Sequence, residues 1–164
     1  VIWGEHDGVL RTAILALKHR SHDELAQPLG ERLAALVGIQ PWAPSIDAVC
    51  GVPSHPVRSI RRRWSASELV AGTVARALDI RLLRPLRRRT WRRQTGRSRA
   101  DRLRLPARSF GATAAARHRR VLLVDDVTTT GTTLRRACEA LLGAGAKTVF
   151  CAVAAHSPDP RSTP

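Results

Sequence analysis

Residues Arg120 to Leu134, reading RVLLVDDVTTTGTTL, constrain the fold more than any other stretch of the chain. Val121 to Val124 form an unbroken run of β-branched and leucine residues, the pattern of a strand buried on both faces of a parallel sheet. Two carboxylates, Asp125 and Asp126, are expected to stop that strand. A loop of hydroxylated residues around one glycine follows, Thr128 to Thr133 with Gly131, and an amphipathic helical pattern then runs from Leu134 to Leu142. A strand, loop and helix in this order leave backbone N–H groups unpaired at the helix N-terminus, where threonine hydroxyls add donors and the macrodipole favours an anion. We read the loop as a phosphate cradle, with the acids at the carboxyl end of the strand able to accept from vicinal hydroxyls. A plain capped turn would need one hydroxyl and no paired acids. No Gly-Lys-Ser/Thr follows the loop, so ATP is not the expected ligand. The parts together describe a ribose bearing a 5-phosphate.

At 164 residues the chain is long enough for one domain with a full core, and 43% hydrophobic content suits a soluble globular class. No apolar run approaches membrane-spanning length and the N-terminus lacks a signal-peptide profile, so a cytoplasmic protein with no membrane partner is expected. Cys50, Cys138 and Cys151 are odd in number and widely spaced, which reads as reduced core thiols rather than a disulfide frame or zinc site. The net charge of +15 is almost wholly arginine, since Lys18 and Lys147 are the only lysines. Such an excess draws in anions, whether pyrophosphate, nucleotide or nucleic acid.

Along the chain, Asp7 to Arg20 and Asp23 to Val37 read as helices, the second with Pro28 in its first turns, and Ile46 to Val52 reads as a strand. The segment Val52-Pro53-Ser54-His55-Pro56 leads into Arg58, Arg61, Arg62, Arg63 and Trp64, an arrangement suited to holding a diphosphate by bidentate contacts. Ser65 and Glu68 carry the spacing of a capping box ahead of a third helix. Ile80 to Leu83 reads as a short strand, and regular pattern is then lost from Arg84 to Phe110. Residues 81 to 104 hold eleven arginines against one acid, Asp101, too repulsive a block to pack. A further helix to Gly143 precedes a strand over Lys147 to Ala155. His156 falls near the carboxyl edge of the sheet by topology, although an exposed histidine without a role is the commoner case. Residues 157–164 should form a disordered tail.

The central stretch resembles the phosphoribosyl pyrophosphate signature of the type I phosphoribosyltransferases, with four apolar residues ahead of Asp-Asp and a Thr-Gly-x-Thr loop. Val52, Pro53, His55, Pro56, Arg58, Arg62 and Trp64, with Lys18 near the start, narrow the resemblance to the ComF-type family. Arg63 and Ser65 depart from that family's glycine and asparagine, and Arg97 and Leu105 from its leucine and asparagine. The family's zinc-binding segment of four cysteines has no counterpart, so the chain is a short form or its start lies upstream.

The resemblance implies an α/β fold, a mostly parallel sheet flanked by helices, in one domain over residues 1–156, with residues 84–110 as a flexible arginine-rich hood carrying Gln94, Arg102 and Phe110. It implies phosphoribosyl pyrophosphate as the small-molecule ligand, brought with Mg²⁺ and without an all-protein metal cage, and transfer of the phosphoribosyl group to a nitrogen base. Asp125 and Asp126 would act at the ribose as binding and catalytic residues. Val127, Thr128, Thr129, Thr130, Gly131, Thr132 and Thr133 would surround the 5-phosphate, while Val52, Pro53, Ser54, Arg58 and Arg62 would flank the diphosphate. A homodimer is admitted. The alternative is a non-catalytic ComF-like protein, a nucleotide sensor or a nucleic-acid partner in DNA uptake, using the hood arginines with Trp64 or Trp91.

Overall fold

The apolar run Val121 to Val124 lies at the centre of a parallel sheet, as a strand without polar alternation requires. It belongs to β5 (Arg120–Thr128), which pairs in parallel with β2 (Ala48–Gly51) on one side and with β6 (Thr148–His156) on the other. The edge strand β1 (Ile2–Glu5) pairs with β6, giving the order β1-β6-β5-β2. This computed structural model describes residues 1–18, 22–54, 64–89 and 109–158. Beyond β2, where a short strand over Ile80 to Leu83 was expected, the sheet is extended by a single parallel bridge between Val49 and Leu82. The Val49 N–H donates to the Arg81 carbonyl at 2.9 Å and the Leu83 N–H to the Val49 carbonyl at 2.8 Å.

Helices cover both faces. Leu122 and Val124 meet α1 (Gly8–Lys18), α2 (Ala26–Gly38) and α3 (Ala66–Ala77) through Ile14, Leu17, Leu33, Val37, Val70 and Val74, all fully buried. Val121 and Leu123 face the other way, onto Ala137 and Leu141 of α4 (Thr132–Gly143). The two alternating sets of β5 therefore feed two cores. Pro28 sits in the first turn of α2, where proline is tolerated. Burial pushes the Cys50 thiol up to about 12, in keeping with a reduced core residue, and the Cys138 and Cys151 sulfurs lie 3.5 Å apart between α4 and β6. No helix among the described residues is long and apolar enough to cross a membrane.

Two expectations give way. The acids do not stop β5, because its ladder with β6 continues through Val127 opposite Ala155 and Thr128 opposite His156. Hydrogen bonding to a partner strand of equal length satisfies the backbone past the end of the apolar run, and the loop shortens to residues 129–131. Nor is regular pattern absent throughout the stretch from Arg84 to Phe110. Its start holds β3 (Leu86–Arg88), antiparallel to β4 (Phe110–Ala112), which begins at its last residue. Leu86 and Phe110 bury against the α4 side of the sheet, and the Arg88 guanidinium lies 5.3 Å from the Phe110 ring centroid. Pairing across so long an intervening segment leaves no local periodicity. Residues 90–108, with Gln94, Arg102 and most of the arginine block, lie outside the described residues.

Candidate functional site

The chain leaves β2 through α3 toward the Leu82 bridge, and leaves β5 through α4 toward β6, in the opposite direction and over the opposite face. The carboxyl ends of β2 and β5 therefore flank a topological switch point, where an open parallel sheet forms a ligand crevice.

On the β5 side the turn into α4 is built as a donor surface. Gly131 precedes the helix with φ of 70°, and nothing lies within 4 Å of the point where its Cβ would stand. The left-handed conformation turns the backbone so that successive N–H groups point outward. Among the described residues, no N–H from Thr129 to Leu134 donates to a backbone carbonyl. The hydroxyls of Thr130 and Thr132 are 2.9 Å apart, and Thr129 and Thr130 are exposed. Unpaired amides, hydroxyls and the positive end of a twelve-residue helix together can hold a phosphate dianion.

The two acids take different partners. Asp125 is 5% exposed, and its Oδ1 accepts from the Ser67 hydroxyl of α3 at 2.8 Å and from the Asp126 N–H at 2.9 Å. Burial, followed by the neighbouring Asp126 charge, raises its carboxyl well above the usual carboxylate range, to about 7. Asp126 accepts the Val127 N–H on Oδ1 at 2.7 Å, and its Oδ2 lies 3.2 Å from the Lys18 ammonium at the end of α1. Its side chain keeps 12% of its surface open, so Asp126 is the better placed of the two to meet a hydroxyl or a hydrated cation. Val127 and Thr128 are half-buried within β5, and the Thr128 carbonyl accepts from Ser157 N–H at 2.8 Å.

On the β2 side Val52 is part of the scaffold. Its N–H donates to the Val124 carbonyl at 2.9 Å, and its own carbonyl accepts from the Ser65 hydroxyl at 3.0 Å. Pro53 and Ser54 follow, half-buried. Ser65 completes the expected capping box, its hydroxyl accepting from the Glu68 N–H at 3.1 Å and its own N–H donating to the Glu68 carboxylate at 2.8 Å. Ser65 thus caps α3 and fastens the β2 exit to it. Gly51 lets α3 lie this close: a Cβ there would stand 2.6 Å from the Glu68 Cα and 2.7 Å from the Ser67 carbonyl. His55, Pro56, Arg58, Arg62 and Arg63 lie outside the described residues, as do Trp91, Arg97 and Leu105. Trp64 carries the Arg84 guanidinium 3.6 Å above its ring, so one face of that ring is already covered.

The structure therefore brings Asp126, Thr128 to Thr133 and the β2 exit to one end of the sheet, with Asp125 beneath them. Toward the β1 edge the same end carries His156 and His6, whose N–H donates to the His156 carbonyl at 2.7 Å. Burial lowers the His6 imidazole, and Lys18 and Arg11 lower it further. Sequence reasoning missed Ser67, a small polar residue two positions after a helix cap that nothing local links to an acid 58 residues later. Among the described residues no cluster of three or more His, Cys, Asp or Glu side chains could hold a metal by itself. The carboxylate oxygens of the acid pair are donors of the kind that suits a hard cation that keeps most of its waters.

A phosphoribosyl transferase domain model matches residues 65–164. The chain is similar to the allosteric regulatory enzyme of purine biosynthesis, with 28% identity and a TM-score of 0.55 over 78% of this chain and 25% of that one. It is likewise similar to the glutamine phosphoribosylpyrophosphate amidotransferase from B. subtilis complexed with ADP and GMP, with 26% identity and a TM-score of 0.54 over 77% of this chain and 26% of that one. The chain spans about a quarter of the length of these two proteins. No curated protein sequence matches it. With more than half of its residues, the α4 turn and both acids among them, inside that match, the chain belongs to the phosphoribosyl transferase domain family.

Proposed function

We propose that this protein binds phosphoribosyl pyrophosphate with Mg²⁺ and transfers the phosphoribosyl group to a nitrogen base, as a ComF-type member of its family, with residues 1–156 forming the working domain and 84–110 its hood. The observation that carries this reading is the run of unpartnered amides from Thr129 to Leu134 beside Asp126, whose side chain keeps a small part of its surface open. A purely structural turn would have capped some of those donors with a side chain, and Gly131 at the cap position offers none.

In this reading the 5-phosphate rests on the amides and hydroxyls of Thr129, Thr130, Gly131, Thr132 and Thr133. Asp126 accepts from the ribose hydroxyls, directly or through the water shell of the metal. Asp125 holds the Asp126 backbone from below and lies behind it at the ribose. Pro53 and Ser54, with Arg58 and Arg62 after them, flank the leaving diphosphate. Mg²⁺, when bound, neutralises charge on that leaving group. The nitrogen lone pair forms the new bond to carbon 1 as the bond to diphosphate oxygen breaks, through a transition state with oxocarbenium character. The residues hold the two partners in line and keep water away. Gln94 and Arg102 belong to the hood that closes over the reacting carbon.

The test is calorimetric titration with phosphoribosyl pyrophosphate and Mg²⁺, followed by incubation with a panel of purine, pyrimidine and amine acceptors while diphosphate release is monitored. Saturable binding that Asp126→Ala abolishes, together with release for one acceptor, is the expected result. Binding without release from any acceptor would establish a sensor. No binding at all would remove the reading.

A further inference from the structure

An acid pair beside a turn that would hold a phosphate poses an electrostatic problem. A ligand bearing several phosphate charges is repelled by an aspartate pair unless something near the pair compensates it. This molecule contains two contrasting aspartate–cation pairs. At the amino end of β5, Arg120 grips Asp47 through three contacts, its N–H and Nε on Oδ2 at 2.7 and 3.2 Å and its Nη2 on Oδ1 at 3.0 Å, so both carboxylate oxygens are used. At the carboxyl end, Asp126 meets Lys18 through a 3.2 Å contact on Oδ2, and among the described residues its Oδ1 is held only by the next residue's own N–H. A planar guanidinium fork occupies a carboxylate, whereas an ammonium is a compact point charge that cancels it and leaves acceptor lone pairs free.

The composition sharpens the contrast. The chain uses arginine for every cation except Lys18 and Lys147. Lys18 is delivered by a firmly seated element: it ends α1, whose Ile14 and Leu17 are fully buried, and a cation suits that helix terminus. Among the described residues, His6, Asp7, Arg11 and Asp125 are other titratable or charged groups that act at this corner.

We propose that Lys18 is a positioning residue of the ligand site, compensating the Asp126 charge monodentately so that a phosphorylated sugar can approach the carboxylate and still find it free to accept. This inference rests on the function proposed above and deepens it.

The experiment is titration of the full chain with phosphoribosyl pyrophosphate over a series of Mg²⁺ concentrations, for the wild type, Lys18→Met, Lys18→Gln, Lys18→Arg and Lys147→Met. Loss of the ammonium in the Met and Gln variants should weaken binding by about tenfold. It should also raise the Mg²⁺ concentration needed for half-maximal binding, because the metal must then supply the missing positive charge; a purely structural role would leave that concentration unmoved. Lys18→Arg should remain weaker than wild type despite its charge, and Lys147→Met should match wild type. Wild-type affinity and Mg²⁺ dependence in the Met and Gln variants would overturn the proposal, and full rescue by Lys18→Arg would overturn its monodentate part. Absence of binding by the wild-type chain would instead overturn the parent function, a result distinguishable from either.

Discussion

Asp125 shows folding and function acting against each other at a single side chain. A carboxyl raised to about 7 in the fold, from an ordinary value of 3.8, contributes stability that is complete below the ordinary value and is lost as pH rises through 7. Asp125→Asn keeps an oxygen to accept from Ser67 and from the Asp126 N–H but carries no charge. Its melting temperature should therefore exceed that of the wild type at pH 8, by an amount on the order of a few kcal/mol in stability, and the gap should close by pH 4. Paired thermal melts across that range check it, and a gap that widens toward acid would refute it. Gly131→Ala should behave differently. Space is open, but φ of 70° strains an L-residue by about 1 kcal/mol. It should weaken the proposed phosphate contact while changing the melting temperature by only a few degrees, as titration and melts would show. Both acids and the glycine were legible in the sequence as parts of one motif. Their division of labour was not, because it depends on Ser67 and Lys18, which reach the acids only through tertiary packing.

At the scale of elements, α3 governs the β2 side of the site. Ser65→Ala removes the cap and the hold on the Val52 carbonyl, and should cost about 1–2 kcal/mol in urea denaturation. Gly51→Ala places a methyl group against α3 backbone rather than a flexible side chain. It should cost about 2–3 kcal/mol and displace the first turn of the helix, with ligand affinity falling alongside stability. The capping box could be read from Ser65 and Glu68 because both ends of that interaction lie within one turn. The ribbon of β3 and β4 could not, since three-residue strands with the pattern Leu-Arg-Arg and Phe-Gly-Ala carry no period. Their pairing closes a long loop whose composition argued only for exposure. The extent of β5 was hidden for a related reason: a strand ends where its neighbour stops pairing, and the neighbour's length is not written beside it.

For the molecule as a whole, the parallel α/β class followed from apolar runs separated by helical patterns, whereas the order β1-β6-β5-β2 did not. The four-residue edge strand Ile-Trp-Gly-Glu carries too little pattern to be placed. A net charge of +15 predicts that affinity for a polyanionic ligand falls as salt rises. Ligand binding should also stabilise the fold by mass action, by about 2.7 kcal/mol at a hundredfold excess over Kd. Asp47→Ala, at the far end of the sheet, should retain that gain and Asp126→Ala should lose it, which thermal shift assays with and without phosphoribosyl pyrophosphate would show. One turn of α3 has a consequence for how such a protein can diverge. Ser65 grips one bank of the crevice and Ser67 the other, so a small tilt of this helix would move both banks together. The gap between them would then be inherited as a fixed calibre, and novelty in the acceptor would have to arise in the loops that roof it over.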